Sequence, residues 1–357
     1  MQMTDATYSP HVLAYDVLVF SLTLKRPHAG RGVQKLVKFL STEFPTARAD
    51  GFGNLHIDTR KDATNRTLFV AHLDTVHHQD GKNHIEDKNG SLLAVNDVLG
   101  ADDGAGIALL AHLITPNVLA YYIFTHGEEC GGLGAKHLTR HHATLLAEFD
   151  RAIAFDRRGT SDVITHQGMA RCCSDVFAES LSDSLNSQGM LYMPDPTGSY
   201  TDTAEFMHII PECTNISTGY ADEHRKTERL SLAHFRDLLN AVTAVAWDSL
   251  PTARNPAELD AFSSPWGDVE FDDWTADPEK CELIEAVDFA LLRGDSRQLK
   301  SLMANLVPFQ HRALSMRELR SLEIPEDYLE MVYHSIEDAA AEDLLYWLLE
   351  MTAPSLC

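Results

Sequence analysis

TLFVA, residues 67–71, running straight into His72-Leu73-Asp74, is the stretch on which the fold turns. An apolar run of this length between polar turns reads as a strand buried on both faces. The pattern recurs in LAYYIFT (119–125) and RAIAF (151–155), and NISTG (215–219) predicts a last strand of the same kind. Segments with helical spacing lie between and before them: 11–22, 32–44, 103–113 and 138–149. Residues 54–58 read as a short strand. HIEDKNGSLLAV (84–95) reads as a β-hairpin turning at Lys88-Asn89-Gly90, where asparagine and glycine accept a left-handed backbone. Alternating strands and helices of these lengths predict an α/β fold, a mostly parallel (mixed) sheet with helices on both faces.

The composition changes near Pro251. Residues 255–357 carry 22 acidic against 7 basic side chains, most of the net charge of −24. Strand patterning stops there, and helical pieces follow at 282–292, 297–306, 315–322 and 336–351. The expected organisation is therefore a catalytic domain over 1–254 and an acidic, all-helical appendage over 255–357. The appendage's apolar stripes need a surface to cover them, either the catalytic domain or a second copy or partner. The acidic balance argues against a nucleic-acid partner. No stretch approaches the roughly 20 apolar residues that cross a bilayer, and the first residues lack the basic start of a signal peptide. Six cysteines, two of them adjacent at Cys172 and Cys173, do not form a spaced disulfide framework. A cytoplasmic protein is expected.

In such sheets ligands bind beyond the carboxyl ends of the strands. After TLFVA come His72 and Asp74; after the hairpin, Gly100-Ala-Asp102-Asp103-Gly104. LAYYIFT leads into His126-Gly-Glu128-Glu129, RAIAF into Asp156, and NISTG into Tyr220-Ala-Asp-Glu-His224. Chance polarity does not put metal-binding side chains at five such places in succession. Two divalent ions about 3.5–4 Å apart share one carboxylate and each need an imidazole and a further carboxylate, with a position left for water. His72, Asp102, Glu129, Asp156 and His224 supply that set. Glu128 is the candidate general base, and Asp74 could accept a hydrogen bond from the His72 nitrogen that faces away from the metal.

These motifs resemble the di-zinc exopeptidases and aminoacylases of peptidase clan MH, over roughly residues 67–232. HLDT (72–75) is similar to that family's first ligand motif. LGADDGAGIA (99–108) is similar to its bridging-aspartate motif, in which a cis peptide follows the bridging residue. THGEECGGLGA (125–135), AFD (154–156) and GYADEHRKTE (219–228) are similar to the remaining ligand segments. The resemblance implies the phosphorylase/hydrolase-like zinc peptidase fold. It also implies one ion on His72, Asp102 and Asp156, and another on Asp102, Glu129 and His224, with Glu128 as base. Only 68 positions separate Asp156 from His224, so the implied layout is the lidless aminopeptidase branch. In that branch a tyrosine helps polarise the carbonyl. Tyr200 is the candidate and Tyr220 its rival.

The expected function is a di-metal exopeptidase, most simply an aminopeptidase, using zinc or alternatively cobalt or manganese on peptide substrates. Two readings stand beside it: a deacylase of N-acyl amino acids or small-molecule amidase, and a non-catalytic scaffold descendant. The complete ligand set disfavours the last. Other features read more plainly. Asp103 is either a helix cap or a ligand-orienting group. His137 and His141, in HLTRH, read as a solvated helix face. His77, His78 and His84 read as a mobile loop near the site, and Cys130 as a packed thiol.

Overall fold

The computed structural model describes residues 10–115, 118–168 and 170–258. The elements that place the site are α1 (Pro10–Leu22), α2 (Arg31–Glu43), β1 (Arg48–Ala49), β2 (Leu55–Asp58) and β3 (Thr67–His72), then β4 (Ile85–Lys88) and β5 (Ser91–Ala94), α3 (Ala101–Ile114) and β6 (Tyr121–Thr125). They continue with α4 (Leu133–His141), β7 (Arg151–Arg157), β8 (Asp162–Ile164), α5 (Asp175–Asn186), β9 (Met193–Asp195), β10 (Glu212–Ser217), β11 (Tyr220–Ala221), β12 (Arg229–Ser231) and α6 (Leu232–Ala244).

The main sheet has the strand order β9-β8-β10-β7-β3-β6-β2-β1. Its centre is the expected parallel sheet: β10, β7, β3 and β6 all run the same way. The flanks are mixed, because β8 is antiparallel to β10 and β2 is antiparallel to β6. Every residue of β3 and of β10 is buried, so both faces of the sheet centre are covered. Helix α3 packs across β3 and β7, and α1 packs on α3. The hairpin of β4 and β5 belongs instead to a small antiparallel sheet in the order β11-β12-β5-β4. Its turn is as expected, with Asn89 at φ 57° and Gly90 at φ 83°.

Two elements differ from their expectations. The strand expected over 215–219 as the last one spans Glu212–Ser217 and is followed by β11 and β12. The helix expected over 138–149 begins earlier, at Leu133, and breaks at His142 before a separate turn at Ala143–Leu146. The glycines of GGLGA are what start it. Gly132 sits at φ 71°, where a Cβ would collide with the Tyr200 hydroxyl, and α4 follows immediately.

The chain remains tied to the sheet past Pro251. The Trp247 ring meets Phe69 and Phe155 edge-on, and Arg254 donates to the carbonyls of Met207 (2.6 Å) and Ile210 (2.8 Å). Glu212 accepts the amides of Ala253 and Arg254. This unit therefore needs its residues through 254. The helices expected between 282 and 351 lie outside the described residues. Among the described residues no helix is long and apolar enough to cross a membrane.

Candidate metal centre

The five side chains singled out at strand ends converge on one point. His72 closes β3, Asp156 lies near the end of β7, Asp102 sits in the first turn of α3, Glu129 follows β6, and His224 lies in the turn after β11. Asp102 stands between two imidazoles. Its Oδ1 is 2.9 Å from His72 Nε2, and its Oδ2 is 3.1 Å from His224 Nε2. On one side Asp156 Oδ1 lies 3.5 Å from His72 Nε2; on the other, Glu129 Oε2 lies 3.2 Å from His224 Nε2. The result is two triads, His72–Asp102–Asp156 and Asp102–Glu129–His224, each with its potential ligand atoms within 4.8 Å of one another. Two adjacent ions sharing Asp102 would use this arrangement. Glu129 Oε1 is buried with no hydrogen-bond partner, a cost that a cation at this place would remove.

The surroundings hold the triads in place. The Asp102–Asp103 peptide is cis, as the resemblance implies. Asp103 both caps and orients: its Oδ1 accepts the Gly106 amide (2.9 Å) and its Oδ2 accepts the His72 amide (3.0 Å). Asp156 accepts from the Thr201 hydroxyl at 2.7 Å and from the Tyr220 hydroxyl at 3.2 Å.

Asp74 serves differently from its expectation. His72 Nδ1 is 3.2 Å from the Asp74 carbonyl but 3.9 Å from its carboxylate. The carboxylate instead accepts the amides of Gly127 (2.8 Å), Glu128 (3.2 Å) and Glu129 (3.3 Å), and so fixes the turn that carries both glutamates. Backbone donors converging on that turn satisfy a buried carboxylate better than one imidazole would.

Two buried ionisable residues that are not among the expected site residues complete the frame. Glu228 accepts the amides of Gly100 (3.0 Å), Ala101 (2.7 Å) and Asp102 (3.1 Å), a carboxylate at the start of α3 where the helix dipole favours it. Arg26 is fully buried and donates to the carbonyls of Leu73 (2.8 Å) and Gly100 (3.1 Å). Burial lowers the Arg26 guanidinium to about 10, against the pull of Asp103, Asp74, Glu228 and Asp102. Glu228 ends the GYADEHRKTE segment, so it lies within reach of the sequence. Nothing around Arg26 marks it out.

The electrostatics are those of a cluster short of positive charge. Burial would lower the His72 imidazole, but Asp156, Asp102 and Glu128 outweigh it and raise it well above its ordinary value. Hydrogen bonds to Asp102 and Glu129 push His224 up to about 11. Burial, with the surrounding carboxylates, raises Glu128 strongly. Glu128 lines a cleft together with Asp102, Asp156, Tyr200, Tyr220 and His224. The His224 side chain, 49% exposed, sits at its mouth.

The two tyrosines divide. Tyr220 is buried against Asp156, whereas Tyr200 is at the cleft surface with its hydroxyl on Glu205 Oε1 at 3.0 Å. Cys130 is half-buried, and burial, reinforced by Asp74 and the two glutamates, pushes its thiol up to about 12, which suits packing rather than nucleophilic attack. Cys130, Cys172, Cys173 and Cys213 are free thiols.

Comparison with solved structures adds a second line. Aminopeptidase PepT of Bacillus cereus superposes with a TM-score of 0.56 at 14% identity, covering 68% of this chain and 99% of its own. The TET1 peptidase of Pyrococcus horikoshii gives 0.53 at 16% identity, over 65% and 98%. A tripeptidase of Staphylococcus aureus gives 0.53 at 14%, over 67% and 98%. The chain has the fold of these peptidases. No family model and no curated protein matches the sequence.

Proposed function

We propose that this chain is a di-metal exopeptidase of the clan MH type, acting as an aminopeptidase. The observation that carries the reading is the placement of Asp102, with one carboxylate oxygen facing each of two imidazole–carboxylate pairs. The donor chemistry fits two ions such as zinc, held by His72, Asp102 and Asp156 and by Asp102, Glu129 and His224. The orphaned Glu129 oxygen and the peptidase fold support it. Bound there, two such ions supply Lewis acidity to a water and to the substrate carbonyl.

The protein's own residues do the rest. Glu128, whose carboxyl is raised by burial and the neighbouring carboxylates, takes the proton of the attacking water and delivers it to the leaving amine. Asp74 keeps Glu128 aimed by gripping the three amides of its turn. Glu228 fixes the backbone on which Asp102 stands, Asp103 fixes that of His72, and Tyr220 and Thr201 fix Asp156. Tyr200 lines the cleft and would meet the substrate carbonyl once its hydroxyl leaves Glu205. Hydrolysis of an aminoacyl, peptidyl and N-acyl substrate panel by zinc-, cobalt- or manganese-loaded protein tests this function. Turnover confined to substrates with a free amino terminus supports the aminopeptidase. Turnover confined to N-acyl substrates makes it a deacylase instead.

A further inference from the structure

A second group of imidazoles lies away from this cleft, where the chain leaves α4. His137 and His141 stand one turn apart on that helix, and His142 follows directly, breaking it. The fold lays the turn 50–54 and strand β2 against them. His137 stacks on Phe52 with ring centroids 5.3 Å apart, His142 lies 6.0 Å from His56, and His141 lies 4.7 Å from His137. Asp50 supplies a carboxylate. A potential ligand atom from each of Asp50, His137 and His142 falls within 4.8 Å of the others.

Solvated histidines do not need this arrangement. His137 is half-buried, and its Nδ1 is shut away from water without a hydrogen-bond partner.

We propose that Asp50, His137 and His142 form a divalent-metal site distinct from the catalytic cluster, taking an imidazole-preferring ion such as Zn²⁺, Ni²⁺ or Cu²⁺. Two imidazoles and one carboxylate are a donor set these ions favour, and a three-ligand site leaves room for water. Asp50 Oδ2 now lies 2.8 Å from Asn54 Nδ2 and 3.2 Å from His56 Nε2; an ion takes the place of the longer contact. His56 is held from its other nitrogen, Nδ1, by the Tyr121 hydroxyl at 3.1 Å.

The site clamps the end of α4 to the 50–54 turn. Asn54 of that turn accepts the His126 amide (3.0 Å) and donates to the Gly134 carbonyl (3.2 Å). An ion here therefore braces the segment that carries Glu128 and Glu129. The assignment stands on its own residues and does not depend on the catalytic reading.

The test is a Zn²⁺ titration of metal-free, full-length protein against a chromophoric chelator. It compares wild type, His142→Gln, and the double variant His72→Ala/His224→Ala. His142→Gln should lose one ion, with affinity at that site falling more than the ~10–100-fold typical of losing an outer-shell partner. The double variant should keep that ion. If the double variant binds as many ions as wild type while His142→Gln still loses one, the catalytic reading fails and this site stands. Unchanged stoichiometry and affinity in His142→Gln overturns the site. Electron paramagnetic resonance of one Cu²⁺ bound to the double variant gives a reading that does not depend on how His142→Gln folds. Coupling to two imidazole nitrogens is expected, and coupling to one or none overturns the proposal.

Discussion

Replacing Asp50 by asparagine gives a change in stability whose size and pH dependence both follow from the structure. Burial alone would raise the Asp50 carboxyl. Contacts from His56 and Asn54 and the Gly53 amide override it and hold the group down to about 2. The Oδ1 atom alone accepts three amides, from Phe52 (2.9 Å), Gly53 (2.7 Å) and Asn54 (2.9 Å). An acid whose folded value lies below its unfolded value stabilises the fold above the unfolded value. It loses that contribution as pH falls through the folded one. With an ordinary value of 3.8 brought to about 2 in the folded protein, the carboxylate contributes about 2 kcal/mol at pH 7 and about 1 kcal/mol at pH 3. Urea unfolding of both proteins with a chelator present, at pH 7 and again at pH 3, measures it. The destabilisation by Asp50→Asn should be about 2 kcal/mol at the higher pH and roughly half that at the lower. Equal destabilisation at both pH values would show that an ionised, amide-bound carboxylate is not what Asp50 provides.

Glu128→Gln should keep its metal and lose about 10²–10⁴-fold in turnover, since only the proton shuttle is removed; wild-type kcat would dismiss Glu128 as the base. Arg26→Met should destabilise by about 3–5 kcal/mol, because it leaves buried Asp103, Asp74 and Glu228 without their cation. Differential scanning calorimetry reads this, and a loss below about 1 kcal/mol would show that those carboxylates do not rely on Arg26. A chain ending at residue 258 should fold and hydrolyse substrate, with any change in assembly visible by light scattering. One ending at 251 should be markedly less stable, since it lacks the Arg254 bonds to Met207 and Ile210. Equal melting temperatures for the two would move the domain boundary back.

What can be read from the sequence is what depends on local pattern. Buried parallel strands are runs of apolar residues, and the polar residue just past each run lies at the carboxyl edge whatever the rest of the chain does. That is why His72, Glu129 and Asp156 can be chosen from the strand pattern; Asp102, in the first turn of α3, and His224, after β11 of the small antiparallel sheet, are chosen with them and are found with them. The hairpin turn at Asn89-Gly90 is equally local. The supporting contacts are not. Glu228 meets Gly100 across 128 positions of chain and Arg26 meets the same residue across 74, and nothing in a single sequence couples such pairs. The Asp50–His137–His142 group is hidden for the same reason: HLTRH shows two histidines, while the aspartate and the break that turns His142 inward come from the tertiary fold. The partner of Asp74 differs from its expectation because which oxygen faces an imidazole depends on backbone placement, not on residue type.

The central claim is that Asp102 bridges two ions. Anomalous diffraction at the zinc edge from crystals of the zinc-loaded protein tests it most directly. Two peaks about 3.5–4 Å apart are expected, one on either side of the Asp102 carboxylate. The first should be bound by His72 and Asp156, the second by Glu129 and His224. A single peak, or none in contact with Asp102, would contradict it.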